Sequence, residues 1–198
     1  MITDNLKTAF QSERLVYRAV ENNKDDKHFL LTEIVNDAIN TALSDIALIR
    51  PRGEKRAEDL IEGLSKAVMG VMICLPNKDE APTPIGFIVL GWGGVNPEHA
   101  RHSSTSIGIA LATSHQGHGY GSEAINWALD WAFRHGGYHR VNIRTVSYNE
   151  RGLHLYKKLG FVEEGRSRES HWYDRKWYDT ISFGMLEREW AELRGLDQ

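Results

Sequence analysis

The sequence predicts a mixed α+β fold around a central sheet, and three observations carry that prediction. β-rich runs fill residues 67–76, 84–94 and 104–111 with only short connections between them, which favours antiparallel pairing. A glycine-rich turn at 117–121 then opens an amphipathic helix, and an alternating run follows it, so this part reads as a β-α-β unit with a local parallel crossover. After a second helix, two more β-like runs close the chain.

Taken in order, RLVYRAV at 14–20 alternates as a short strand. From Asp25 to about Ile49 apolar residues recur at helical spacing (Phe29, Leu30, Ile34, Val35, Ala38, Ile39), predicting a helical stretch. RPRGEKR at 50–56, punctuated by Pro51 and Gly53, reads as a charged loop, and 57–66 as a helix with Leu60, Ile61 and Leu64 on one face. The runs 67–76 and 84–94 make a hairpin through NKDEAPT, and Ser104–Leu111 is a third strand. Residues 122–135 carry Ala124, Ile125, Ala128, Leu129, Ala132 and Phe133 on a broad apolar stripe, which Gly136 and Gly137 end as a C-cap. A strand at 139–146, a helix at 150–159 stopping at Gly160, and closing strands at 161–170 and 176–186 complete the series. No internal repeat or low-complexity segment is found, and 1–198 reads as a single domain with its core at about 12–190.

Composition narrows the function classes. Hydrophobic residues make up 41% of the chain and charged residues 26%, which suits a soluble domain with a sizeable core. The formal net charge of −3 gives no general attraction to nucleic acid. No apolar run reaches the length of a bilayer span, and MITDNLKTAF lacks the apolar core of a secretory signal, so a cytoplasmic protein without nucleic-acid or membrane partners is expected. One cysteine, Cys74 in AVMGVMICL, excludes an intramolecular disulfide framework and reads as a buried thiol in a reducing compartment. His115 and His118 flank a glycine turn with no evident third ligand, so no metal is expected.

Three glycines in five positions, Gly117, Gly119 and Gly121, stand where a strand passes into a helix. The first N–H groups of a helix have no intrahelical partner and sit at the positive end of its dipole, so such a turn is suited to an anion. Neither common phosphate loop fits: no Lys-Ser/Thr follows Gly121, and the spacing is G-x-G-x-G rather than G-x-G-x-x-G.

QGHGYG at 116–121 and NERGLHLYKKLGF at 149–161 together resemble the GCN5-related N-acetyltransferase (GNAT) superfamily. The first resembles its coenzyme A signature Q/R-x-x-G-x-G/A through Gln116, Gly119 and Gly121. The second resembles N-x-x-A-x-x-x-Y-x-x-x-G-F through Asn149, Gly152, Tyr156, Gly160 and Phe161. The tail, with Glu164-Gly165, Arg168 and Tyr178-Asp179, looks like the branch holding ribosomal-protein N-terminal-amine, spermidine and antibiotic acetyltransferases. The resemblance implies a mostly antiparallel central sheet flanked by helices, with a splayed strand pair that binds coenzyme A.

It also implies acetyl transfer from acetyl-coenzyme A, as cosubstrate, to a primary amine by direct attack, the acceptor being a small-molecule amine or a protein N-terminus. The diphosphate is expected on Gln116, Gly117, His118, Gly119, Tyr120, Gly121 and Ser122. The pantetheine arm is expected along Ile109, Ala110 and Leu111, with Asn149 on its far side. Tyr156 matches the family's general acid for the leaving thiolate. The Glu that many relatives carry two residues before the strand's glycine is Ser106 here, ahead of Gly108. His102, His171 and Asp174 are base candidates by residue type only. HWYDRKWYD at 171–179 reads either as an acceptor wall, where Asp174 and Asp179 attract a cation, or as a solvated hairpin. Trp127 and Trp131, one helical turn apart, mark packing or a partner surface. The competing reading is a non-catalytic acyl-coenzyme A sensor on the same fold. Monomer and homodimer both fit.

Overall fold

Seven strands form one sheet in the order β1-β2-β3-β4-β5-β7-β6, in a computed structural model that describes residues 6–44, 47–94, 96 and 98–196. The strands are β1 (Val16–Ala19), β2 (Met69–Leu75), β3 (Thr83–Leu90), β4 (Ser104–Leu111), β5 (Arg140–Val146), β6 (Val162–Tyr173) and β7 (Lys176–Leu186). The helices are α1 (Lys24–Phe29), α2 (Ala38–Ser44), α3 (Glu54–Lys66), α4 (Tyr120–Arg134), α5 (Glu150–Lys158) and α6 (Glu187–Leu193). β4 and β5 are the one parallel pair, and every other neighbouring pair is antiparallel, as expected of hairpin-linked runs on either side of a single crossover helix.

Each face of the sheet has its own apolar layer. On one, α4 lays Ile125, Ala128, Leu129 and Ala132 over Ile85, Ile107, Val141 and Ile143, and α5 adds Tyr156. On the other, the turn that follows α1 brings Leu30, and α3 brings Leu60, Ile61 and Leu64, onto Met72, Cys74, Phe87 and Ala110. Cys74 is buried, and burial pushes its thiol up to about 11, as a structural cysteine requires. Trp127 stacks on Tyr17 with ring centroids 3.7 Å apart and donates its indole N–H to Ala9 O at 2.9 Å. It therefore packs the N-terminal segment against α4. No helix among the described residues is long and apolar enough to cross a membrane.

The expected helical stretch from Asp25 divides. α1 continues into a π-helical turn, Leu30–Val35, and the helix breaks at Asn36. Asp37 then caps α2, accepting from the N–H groups of Ile39 (2.8 Å) and Asn40 (3.1 Å). The break turns the apolar stripe, so Leu30 and Ile34 are buried but Ile39 is exposed. Asp45 and Ile46, within that expected stretch, lie outside the described residues. α3 begins three residues early, at Glu54, taking in part of the charged loop. α6 follows β7 directly and had no counterpart in the sequence reading.

β1 is stapled to α1 by a buried ion pair. The Asp26 carboxylate is 1% exposed and accepts from Arg18 Nη1 and Nη2 (2.8 and 2.6 Å) and from Glu21 N–H (2.8 Å). Burial alone would raise the Asp26 carboxyl, but the Arg18 bonds and the Glu21 N–H outweigh it and hold the group below its ordinary value. Its contribution to stability is thus fully present above the ordinary carboxylate range and is lost as pH falls through the depressed folded value. Asp26→Ala removes the partner of Arg18, which is itself about a third exposed, and the acceptor of Glu21 N–H, and is expected to cost about 2–3 kcal/mol, a loss of several °C in Tm. Thermal unfolding at neutral pH checks this; an unchanged Tm would mean that the pair contributes nothing net.

Candidate functional site

The parallel pair is held together only at its start. Ser104, Thr105 and Ser106 pair with Arg140, Val141 and Asn142, and beyond that rung β4 has no strand partner on the β5 side. Its other edge remains bonded to β3 as far as Leu111. The ladder's parity fixes which groups face the gap. Gly91 N–H donates to Ser106 O, and Ala112 N–H to Ile85 O. Alternation therefore turns the backbone groups of residues 106, 108, 110 and 112 toward β3, and those of Ile107, Ile109 and Leu111 toward the opening. Ala110 lines the cavity, but its own N–H and C=O belong to the β3 ladder.

α2 closes one side of this wedge with a polar residue. Asn40 is 4% exposed and donates its Nδ2 to Leu111 O (3.0 Å) and Glu33 O (3.2 Å). Gln116 Nε2 donates to the same Leu111 carbonyl (3.0 Å) and to Asn40 Oδ1 (3.1 Å). Leu111 C=O is thus doubly capped, which leaves its N–H and both backbone groups of Ile109 available on that edge.

The glycine turn stands at the mouth of the wedge. Gly117 (φ +80°) and Gly119 (φ +83°) occupy the left-handed region, where a Cβ is penalised, and Gly119 is the N-cap of α4 with no side-chain cap. Gln116 N–H is committed to Thr113 O (3.3 Å). Among the described residues nothing accepts from the N–H groups of residues 117–122, so six consecutive amides stand free at the positive end of a fifteen-residue helix.

The turn is braced from behind by Arg14, whose place in an alternating run gives no sign of this role. Its Nη1 donates to His118 O (3.0 Å), its Nε to Glu123 (2.8 Å), and its guanidinium lies 4.8 Å from the Tyr120 ring centroid. Burial would raise the Glu123 carboxyl. Ser12 and the Arg14 backbone and side chain overcome this and keep it depressed and ionised. The signal was an Arg preceding the first strand and a Glu one turn into α4, but their pairing spans 109 positions and no local pattern reveals it.

A cleft of about 970 Å³ runs from the turn along the wedge, lined among others by Ile109, Gly119, Asn149, Arg151, Tyr156 and Phe183. A second cavity of about 500 Å³ meets it, and Ser106 and Asn142 line both. Tyr156 is 7% exposed and edge-on to Phe161 and Phe183, and no described residue bonds its hydroxyl. Burial pushes that phenol up to about 12. Asn149 Oδ1 caps α5 by accepting from Gly152 N–H (3.0 Å), while its Nδ2 donates to Thr145 Oγ1 (3.0 Å) and Leu43 O (3.4 Å).

The base candidates chosen by residue type do not line this cleft. His171 is buried against the Tyr148 hydroxyl at 3.0 Å, His102 lies in a 3-10 turn after α3 and β3, and Asp174 sits at the β6–β7 turn with φ +44°. Asp179 is held by Arg166 (2.8 Å) and Glu169 N–H (2.9 Å), so its charge is already compensated.

A family model described as an acetyltransferase (GNAT) domain matches residues 14–162. The chain is 32% identical over 89 residues to a spermidine N(1)-acetyltransferase of Vibrio cholerae, a stretch covering 45% of this chain and 51% of that protein. It is 29% identical over 84 residues to a putative ribosomal N-acetyltransferase of Bacillus subtilis, covering 42% and 46%. The chain spans about half the length of the curated relatives it matches. Among solved structures, the Vibrio cholerae spermidine N-acetyltransferase in complex with CoA and spermine superposes with TM-score 0.73 at 23% identity, covering 91% of this chain and 99% of that one. A GNAT-family acetyltransferase of Bacillus anthracis gives 0.72 at 20% identity, covering 90% and 98%. At such identities the likeness is one of fold.

Proposed function

This chain belongs to the GNAT acetyltransferase family, and from that premise we propose that it transfers an acetyl group from acetyl-coenzyme A to a primary amine. The observation that carries the reading is the run of unbonded amides at 117–122 at the mouth of a strand edge left open beyond Ser106. One part suits a diphosphate and the other an amide-bearing arm laid alongside it as a further strand. The residues fit the cosubstrate in charge as well, since Arg151 and Lys158 line the same cleft.

When bound, acetyl-coenzyme A supplies the acetyl group as a thioester. In this reading Gly117, His118, Gly119, Tyr120, Gly121 and Ser122 hold the diphosphate through their N–H groups. Ile109 offers the arm both backbone groups and Leu111 offers its N–H. Asn149 Nδ2, on its long bond to Leu43 O, is the donor that turns to the arm from the far side. Tyr156 is neutral across the working pH range and donates a hydrogen bond to the departing sulfur. The attacking nitrogen must carry a lone pair. Ser106 cannot remove a proton unaided, so the amine gives up its proton to water, to another side chain of the cleft such as His154, or before it arrives. The cytoplasmic setting and a monomer or homodimer belong to the same reading.

Release of free thiol from acetyl-coenzyme A in the presence of amines tests it. Amine-dependent release is expected. Tight coenzyme binding without release for any amine would instead support a non-catalytic sensor, a reading the named acetyltransferase relatives do not favour.

A further inference from the structure

The two faces of the sheet give the wedge two sides built from different elements. α4 and α5 stand on one, with the free amides, Arg151 and Lys158. The other is set by alternation along β5. Val141, Ile143 and Thr145 point into the α4 layer, so Arg140, Asn142 and Arg144 point the opposite way, across from the diphosphate cradle. In the acetyltransferase reading this second side is left for the acceptor. Arg140 bonds Asn142 Oδ1 (2.7 Å) and pairs with Glu164. Arg144 is exposed and lines the cleft two residues past the last β4–β5 rung; its backbone belongs to the β7 ladder, and its side chain makes no hydrogen bond or ion pair among the described residues. Glu164 is the one carboxylate among the described lining residues of the two cavities, and Arg140 compensates it.

We infer that the acceptor is an α-amine carrying an anionic group, such as a short peptide with its carboxylate, gripped by Arg144. The inference rests on the acetyltransferase reading and deepens it. A polyamine needs carboxylates to replace its water, and the described lining has none free. A carboxylate, by contrast, meets an uncommitted guanidinium. The amine's own titration points the same way. At pH 7.5 about a third of a peptide α-amine is neutral, against about one part in a thousand of an alkylamine with a lysine-like pKa. In water the former is thus several hundred times richer in the attacking, neutral form.

Thiol release should be compared for glycylglycine, glycylglycinamide and spermidine, with coenzyme affinity measured separately by calorimetry. The expected order in kcat/KM is glycylglycine above its amide by about 10-fold or more, and both above spermidine. Arg144→Ala should bring the first ratio close to one, with coenzyme affinity within about two-fold of the parent, and Arg144→Lys should restore part of the ratio. A higher kcat/KM for spermidine, or a ratio unmoved in Arg144→Ala, overturns the inference while leaving acetyl transfer intact. No release with any of the three, in a protein that binds the coenzyme, overturns this inference, and absence of release across a wider amine series ends the acetyltransferase reading as well.

Discussion

Gly119→Val is expected to weaken coenzyme binding by at least about 100-fold, close to 3 kcal/mol, in a protein that still folds. Gly119 sits at φ +83°, and a β-branched side chain is among the worst placed in that region. The built Cβ would also lie 3.2 Å from Arg14 Nη2, the guanidinium that braces the turn through His118 O and Glu123. The backbone must rotate to relieve both, and the rotation moves the amides of residues 117–122 out of their common direction. The loss thus comes from backbone strain at the N-cap, because the Cβ is directed at Arg14, which does not line the cleft. Gly121→Ala separates the two causes: φ is not positive there, and its Cβ meets only Leu111 and Leu155 at 3.7 Å, so the turn keeps its shape. Calorimetric titration with coenzyme A, alongside circular dichroism, checks both. Parent-like affinity in folded Gly119→Val would remove the turn from the site.

How much of this was readable beforehand depends on whether the determinant was local. The glycine turn, the α4 stripe and the spacing of Asn149 and Tyr156 on α5 are set by short-range patterns, and β4, β5 and β7 fall within a residue of their expected bounds. The splay of β4 from β5 was implied by the family resemblance. No periodicity in either strand encodes it, because it arises from where pairing stops. The α1–α2 break was missed because one π turn and the Asp37 cap override an apolar repeat that continues in the sequence. Asn40, unremarkable in that repeat, proves to be the buried clasp between α2 and Leu111, and its partners lie 71 and 76 positions away. The Arg14–Glu123 and Arg140–Glu164 pairs were hidden for the same reason. Asp174 and Asp179 show the converse, since residue type suggested a cation site where the hairpin's own geometry uses or displaces both charges.

Tyr156→Phe is expected to lower kcat by about 100-fold and to leave coenzyme affinity within about two-fold, since the ring keeps its edge contacts with Phe161 and Phe183 and only an unbonded hydroxyl is lost. The size follows from what a phenol near 12 can do for a thiolate whose own value is near 8.5. Full proton transfer is uphill by about 5 kcal/mol, so the hydroxyl acts as a strong hydrogen-bond donor to the developing negative charge on sulfur, in a site from which water is partly excluded. The sign of the pH dependence is then fixed. Burial raises the group, so it remains a donor throughout the neutral range and is lost only as pH rises through about 12. A rate that climbs between pH 6 and 9 therefore reports a group other than this phenol, such as the acceptor amine, and the same limb should persist in Tyr156→Phe at a lower plateau. If the variant lost the limb, or kept the parent kcat, the phenol would not be the group that meets the leaving sulfur.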